Sequence, residues 1–408
     1  NAMGEFQAMM DAIRDGFVNP AMAEIPDDPQ ERANHLKAFG YFNDASMVGC
    51  GPLQQGMHLQ TPRRNPDIDR LAKALTTRQT KTLASGIDVI MADLRESMQA
   101  PPSGIENHSH AIVFLYEHMR DPKPDEPGSD WILDAQDHRA CIRASETAVV
   151  IANYIRLLGF PAKAHTVTST DVDLGRLALG CGLVSLEDGT LQAPWLGTRY
   201  GLAAVTTSLE LAHDAPLAPR AEQPSFTPGW WLGAGHAKSA LNRDPYARRR
   251  YVDGAHPFER LKRVDDPTTY IDEARVARVP KRADMFARSL FGDLGPNQQE
   301  AAKNGNDVRK SASAFAFRPA LGAFVLLQDG GKADEIHPSV SDPDRNAANL
   351  KATAYFLGCD AVGLGRPDWV MEQDVWRAAP KGLPPNQRRL LYHDFGDGVT
   401  CLPDIACH

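Results

Sequence analysis

The sequence predicts an α+β protein: a central sheet flanked by helices over residues 25–215, a long irregular connector over 216–340, and the start of a second, incomplete copy over 341–408. Three observations lead there. Up to about residue 215, stretches of helical periodicity alternate with short apolar runs, the pattern of a sheet covered by helices. Beyond Pro216 that periodicity gives way to Pro, Gly, Arg and scattered aromatic residues. Residues 28–51 also recur at 342–365. Asp28-Pro29, Ala33, Leu36-Lys37-Ala38, Tyr41-Phe42, Val48-Gly49 and Gly51 return as Asp342-Pro343, Ala347, Leu350-Lys351-Ala352, Tyr355-Phe356, Val362-Gly363 and Gly365, eleven identities in 24 positions without a gap. A repeat of this kind divides the chain before any motif does. Only 43 residues follow the second copy, which is why it is expected to be incomplete.

Taken in order, Asp27 or Asp28 caps a helix that Pro29 enters at its first turn, with Ala33, Leu36, Ala38 and Phe39 as its apolar side. Ser46–Cys50 reads as a short buried strand, and the glycines beside it mark close approach by another backbone or a ligand. Ala361–Leu364 is the corresponding strand of the second copy. Residues 66–94 carry helical spacing with many polar residues, as a surface helix pair would. Ala111–Leu115 is one buried strand, and the acidic, Pro-rich span 121–130 is a loop. Asp137–Leu158 is the strongest helix, with Ala148, Ile151, Ala152, Ile155 and Leu158 at three-four spacing and Gly159 as its stop. Ala162–Val167 alternates as a half-buried strand. Asp173 introduces a helix over Leu174–Leu179, and Gly201–Thr207 is a further strand. The connector is read as wrapping segments with short helices, anchored by Trp230, Trp231, Phe258, Phe286 and Phe291.

Composition narrows the function. Hydrophobic content of 42% and charged content of 24% are those of a globular protein. No apolar run reaches the roughly 18 residues of a membrane span, and no signal-peptide pattern is seen, so a cytoplasmic setting without a membrane partner is expected. Asn1-Ala2 before Met3 reads as a cloning remnant. A net charge of −8 argues against nucleic acid as a partner. The stretch 243–288 is locally basic, with twelve Lys/Arg against eight Asp/Glu, and interspersed acids suit a salt-bridged connector better than a polyanion site. The six cysteines lie without CxxC pairs, as free thiols do; Cys401 and Cys407 with His408 are too widely spaced for a structural metal site, and no metal is expected. His108, His110 and His118 lack an accompanying carboxylate, so core or surface roles are preferred to ligation. Gly233-Ala234-Gly235 lacks the strand–turn–helix setting of a dinucleotide loop.

Several segments, in order, resemble the cobalamin-binding unit of reductive dehalogenases, with a fainter likeness to epoxyqueuosine reductases. They are Phe42–Gly51, Ala152–Ala162 with Tyr154-Ile155-Arg156, Asp173–Leu183, Pro194–Leu202 with Val205-Thr206-Thr207, and the connector segments Pro267–Ile271, Val279–Arg282 and Phe286–Gly295. The resemblance covers residues 30–370. It implies a nitroreductase-like fold, an N-terminal unit that is a diverged duplicate of the cobalamin unit, and iron–sulfur clusters that feed electrons to cobalt for removal of halide from a small organic substrate.

The chain departs from that pattern in three places. No CxxCxxCxxxC run is present, so no iron–sulfur cluster is expected here. The family's Gly-rich loop is replaced by Cys181–Gly189, in which Val184 stands where close ligand approach needs glycine and Glu187-Asp188 where an anionic tail would be received. The second copy ends before the counterparts of Gly182–Arg199. As cofactor-binding candidates the resemblance leaves His165, Gly182, Gly189, Gly197 and Arg199. For each a plainer role is preferred: a satisfied polar residue at a strand edge, turn glycines, and an ion-paired arginine. No catalytic residue is named. The expectation is an N-terminal or partial portion of a reductive dehalogenase-like protein, not catalytic alone, whose partner is a missing catalytic unit or a second copy in a homodimer. The alternatives are a corrinoid- or flavin-binding protein without iron–sulfur clusters, and a structural interaction module.

Overall fold

The computed structural model describes residues 2–71, 103–119, 121–124, 126–194, 196–218, 294–304, 311–327, 342–359 and 361–364, with Lys262, Val264, Ser289, Gly292 and Glu335 between them. In chain order the elements are α1 (Ala2–Ala12), α2 (Pro29–Phe42), β1 (Met47–Pro52), β2 (His58–Arg63), β3 (His110–Glu117), α3 (Ser129–Ile132), α4 (Gln136–Leu157), β4 (Ala162–His165), β5 (Thr170–Val172), α5 (Leu174–Gly180), β6 (Ser185–Glu187), β7 (Thr190–Gln192), β8 (Tyr200–Thr207), α6 (Pro296–Asn304), α7 (Ala312–Ala316), α8 (Arg318–Leu327) and α9 (Pro343–Phe356). They are mixed helix and antiparallel sheet, an α+β protein. The chain divides into two compact units, one drawn from residues 1–75, 93–261 and 316–363, the other from 76–92, 262–315 and 364–408. Of the second, α6 and most of α7 are described; Gly295, at φ +94°, opens α6 by accepting from Gln299 N–H at 3.0 Å.

In the first unit the main sheet has the order β1-β3-β8-β4, with every neighbouring pair antiparallel. The register pairs Gly49 with Val113, Val113 with Ala204, and Ala164 with Val205. Helices cover both faces, so β3 is buried throughout His110–Glu117 except at its ends and reads as one apolar run. On one face lie α2 and α4. α4 ends at a Schellman cap: Phe160 N–H donates to Ile155 O at 3.2 Å and Gly159 N–H to Arg156 O at 3.0 Å, with Gly159 at φ +96°. The Ala140, Ala144, Ala148 and Ala152 stripe of α4 is fully buried. On the other face, Leu174, Leu177 and Ala178 of α5 join Leu183 and Val184 against Met47, Val113, Leu115 and Ala204.

Close backbone approach sets the spacing of these layers. A Cβ on Gly201 would lie 2.3 Å from the Ala140 carbonyl carbon and 2.5 Å from Cys141 N, so α4 rests directly on β8. A Cβ on Gly49 would lie 2.4 Å from Cys181 O, and one on Gly40 2.8 Å from Val48. The glycines of β1 therefore mark approach by another backbone, not by a ligand.

Other expectations are corrected. Residues 3–24, to which the sequence reading assigned no element, hold α1, which packs on α4 and buries Ala8, Met9, Met10 and Ile13. The methionine and isoleucine side chains contribute about 2 kcal/mol each when fully buried. The strand after Pro161 stops at His165, and all four of its residues are buried, because its second face looks onto a polar network instead of solvent. Helix α9 repeats the cap of α2, with Asp28 accepting from Gln30 N–H and Asp342 from Asp344 and Arg345 N–H. Ala361–Leu364, however, forms no strand; Ala361, Gly363 and Leu364 are exposed. The span 66–94 shows helix over residues 67–71, and the remainder lies outside the described residues, as do Trp230, Trp231, Phe258, Phe286, Phe291, Cys401, Cys407 and His408.

If Gly201 sets the α4–β8 spacing, Gly201→Ala lowers stability by about 3 kcal/mol through overpacking, read as a fall in the urea midpoint. Gly56→Ala, at a position with no atom within 4 Å, leaves the midpoint in place.

Candidate functional site

The residues nominated by sequence do not converge on one pocket. Gly182 has φ +67°, and a Cβ there would lie 2.2 Å from Ala215 O. The close approach that a glycine permits is made by the chain's own segment after β8. That segment is tied down: Asp214 N–H donates to Cys50 O at 2.8 Å, the Asp214 carboxylate accepts from Cys50 N–H at 2.8 Å, and Lys37 pairs with it at 2.5 Å. Asp188 at φ +48° and Gly189 at φ +79° form the two-residue turn of the β6–β7 hairpin. Gly197, φ +56°, closes a turn by exchanging two backbone hydrogen bonds with Ala193. Arg199 is exposed and donates to Met119 O at 2.7 Å. Val184, which replaces the expected glycine, is buried in the α5-side core. The loop thus folds as a hairpin with a core anchor, and these residues do not form a cradle that fits a corrinoid.

His165 alone among the candidates sits in a cluster of ionisable groups. It is not at a partly exposed strand edge but fully buried. Its Nδ1 accepts from Asp171 N–H at 3.3 Å, which leaves Nε2–H to donate to Thr206 Oγ1 at 2.8 Å. Thr206 then donates to His108 Nδ1 at 2.8 Å. The chain of hydrogen bonds is satisfied with both imidazoles neutral. Their titration agrees. Burial, then the charge of Arg14, holds His165 well below its ordinary 6.5, and burial, then Lys163, takes His108 down to about 4.

Around this relay, buried charges are paired. Lys163 Nζ lies 3.0 Å from Asp171 Oδ2 and donates to Ser103 O at 2.6 Å. Arg14 reaches Asp171 Oδ2 at 3.2 Å and Oδ1 at 3.4 Å. Burial pushes the Asp171 carboxyl up, but Arg14 and Lys163 outweigh it and hold the group below its ordinary 3.8. A second hub, Asp11, accepts from Gln7 Nε2 at 3.0 Å, Thr166 Oγ1 at 2.6 Å, Asn65 Nδ2 at 2.8 Å and Thr168 Oγ1. These hubs tie α1, β4 and β5 together. Every polar atom quoted has a partner, so the arrangement holds the fold together.

Sequence reading passed over Asp11, Arg14, Lys163, Asp171 and Thr206. One signal was present: Lys163 and His165 share a strand face, and a lysine on a strand between helices needs a carboxylate partner. Tyr154 packs edge-on against Phe39, ring centroids 5.3 Å apart. His110 stacks near His213 at 4.9 Å, and no group of three potential metal ligands occurs among the described residues. Cys50 and Cys181 are buried thiols, and burial pushes Cys50 up to about 12.

With this geometry in hand, solved structures supply a relative. The catabolic reductive dehalogenase NpRdhA superposes with a TM-score of 0.65 at 32% identity, over 89% of this chain. This chain is reductive-dehalogenase-like. The same relative in complex with 3-bromo-4-hydroxybenzoic acid gives a TM-score of 0.67, and a further match is a reductive dehalogenase whose structure suggests a mechanism for B12-dependent dehalogenation. The chain spans 46% of the length of these proteins. An epoxyqueuosine reductase aligns at 11% identity and a TM-score of 0.28, too distant to add to the comparison. No family model matches the chain, and neither does any curated protein. No described helix is long and apolar enough to cross a membrane.

Neutral buried histidines make the fold acid-sensitive. Unfolded, each takes a proton near 6.5, whereas folded His108 resists until about 4. The unfolded state therefore binds more protons in that window, so stability is full above 6.5 and declines as pH falls towards 4. Urea midpoints measured above and below 6.5 check this. Thr206→Val removes the link between the two rings and costs about 2 kcal/mol at neutral pH.

Proposed function

We propose that this chain is a structural unit of a reductive dehalogenase-like protein: a nitroreductase-like fold, duplicated, in which a second unit carries the corrinoid. Halide removal from a small organohalide then belongs to that second copy of the fold, together with the iron–sulfur clusters that deliver electrons. The first unit supplies a rigid body for it to pack on. Neither nucleic acid nor a lipid surface enters this reading, and a cytoplasmic setting suits it.

The observation that carries the reading is the sealed loop at Gly182. Its open side is filled by Ala215 O, and Val184 occupies the core. A ligand-binding loop keeps room at its glycines for close approach; at Gly182 that room is taken by the chain's own backbone, while Gly189 and Gly197 have no atom within 4 Å of an added Cβ. Support for the wider setting comes from the 32% identity to a reductive dehalogenase of roughly twice this length. Support for duplication comes from the shared cap and eleven identities of the two helix-opening segments.

The test is absorbance after incubation with cobalamin, and separately with flavin, followed by desalting. The expected result is a colourless chain. A retained chromophore would sink the structural reading in favour of a corrinoid- or flavin-binding protein. In the protein taken to the length of its relatives, deletion of residues 1–220 is expected to abolish stable folding together with turnover. Unchanged turnover would count against a structural role.

A further inference from the structure

Helices α2 and α9 are close in sequence yet bury opposite sides. In α2 the buried residues are Ala33, Leu36 and Gly40. In α9 they are Asn349, Ala352, Tyr355 and Phe356. Identical residues therefore exchange environments: Leu36 is 2% exposed but Leu350 48%, while Phe42 is 75% exposed and Phe356 2%. The stripe that α9 buries corresponds position for position to His35, Ala38, Tyr41 and Phe42, which α2 leaves exposed.

What covers that stripe in α9 is visible. It docks on α3 and the start of α4, where Phe356 packs with Ile132 and Ala135 and lies under the Arg139 guanidinium at 5.2 Å. Asn349 Oδ1 accepts from Gly128 N–H at 2.7 Å, and Asp130 accepts from Arg345 Nε and Nη2, each at 2.7 Å. If two related units are joined, the operation that carries one onto the other turns this contact into its mirror, with α2 on the second unit's counterpart of α3 and α4.

We propose that the Ala38–Tyr41–Phe42 face of α2 is an interaction surface for a second, diverged unit of the same fold, docking on that unit's equivalent of residues 128–139. The inference rests on the duplicated-unit reading above and names the contact by which the units join. Charge argues for a diverged unit and against a second copy of this chain. Glu31 stands where α9 has Arg345, so the same face set against Asp130 of an identical chain would bring two carboxylates together. Residues 128–139 of this chain are, besides, already covered by α9. The diverged partner has a basic or neutral residue at the Asp130 position.

Hydroxyl-radical footprinting of the protein as its whole reading frame encodes it tests the contact. Phe17, 64% exposed, is the internal reference for Phe42, 75% exposed. The expected result is Phe42 oxidised several-fold more slowly than Phe17, independent of protein concentration. Equal rates overturn the proposal, and protection that grows with concentration overturns it in favour of a second copy. Phe42→Glu is expected to lower the unfolding midpoint while Phe17→Glu leaves it in place; equal effects also overturn it. Protection of Phe42 without dehalogenase turnover leaves the contact standing and removes the functional reading. Turnover with an unprotected Phe42 removes the contact alone.

Discussion

The missing side chain at Gly201 is the constraint from which the first unit is built. Because β8 has no Cβ there, the backbone of α4 settles onto the sheet, and the alanines along α4 from Ala140 to Ala152 continue that contact. Tight packing of a helix on a sheet gains dispersion contacts but tolerates no later insertion. The opposite face obeys the same rule, with the Cys181 carbonyl seated on Gly49. Backbone therefore approaches the sheet closely on both faces. The sealing of the Gly182 loop is thus a property of the whole sandwich and not of one loop.

Polar groups are displaced to the β4 end by the same packing. There the second face of the sheet meets α1 and β5, not a helix of small residues, and the vacancy is filled by charge. Asp171 and, 3.9 Å from Lys163, Asp15 balance the charges of Lys163 and Arg14, and the two histidines stay neutral through Thr206. Such a network is stabilising only when complete, since a single unpaired buried ion costs more than its pair contributes. Its role is to specify how the N-terminal helix meets the sheet.

Much of this was legible in the sequence because it rests on short-range pattern. The alternation of Ala, Ile and Val in α4, the apolar run of β3 and the Asp-Pro starts of α2 and α9 each name their own element. What escaped depends on distant partners. Asp11 makes sense only beside Asn65, Thr166 and Thr168, and the polar side of α1, Gln7 and Asp11, is buried in a helix covered by both α4 and α8. The alternating Ala162–Val167 suggested a half-exposed strand because a lysine and a histidine look solvent-directed until their partners are known. The repeat at 342–365 transmitted its helix but not its strand, since a helix closes its own hydrogen bonds and a strand borrows them.

The ends of the sheet carry a consequence of their own. Beside β1, Asp214 takes both hydrogen-bonding groups of Cys50; beside β4, Arg14 O accepts from Ala164 N–H at 3.0 Å. An open edge strand is an invitation to amyloid-like growth and to peptides that bind as an added strand. Here irregular backbone from residues 14 and 214 stands at both ends as a stopper. Strand addition at these two positions of the main sheet is thereby obstructed.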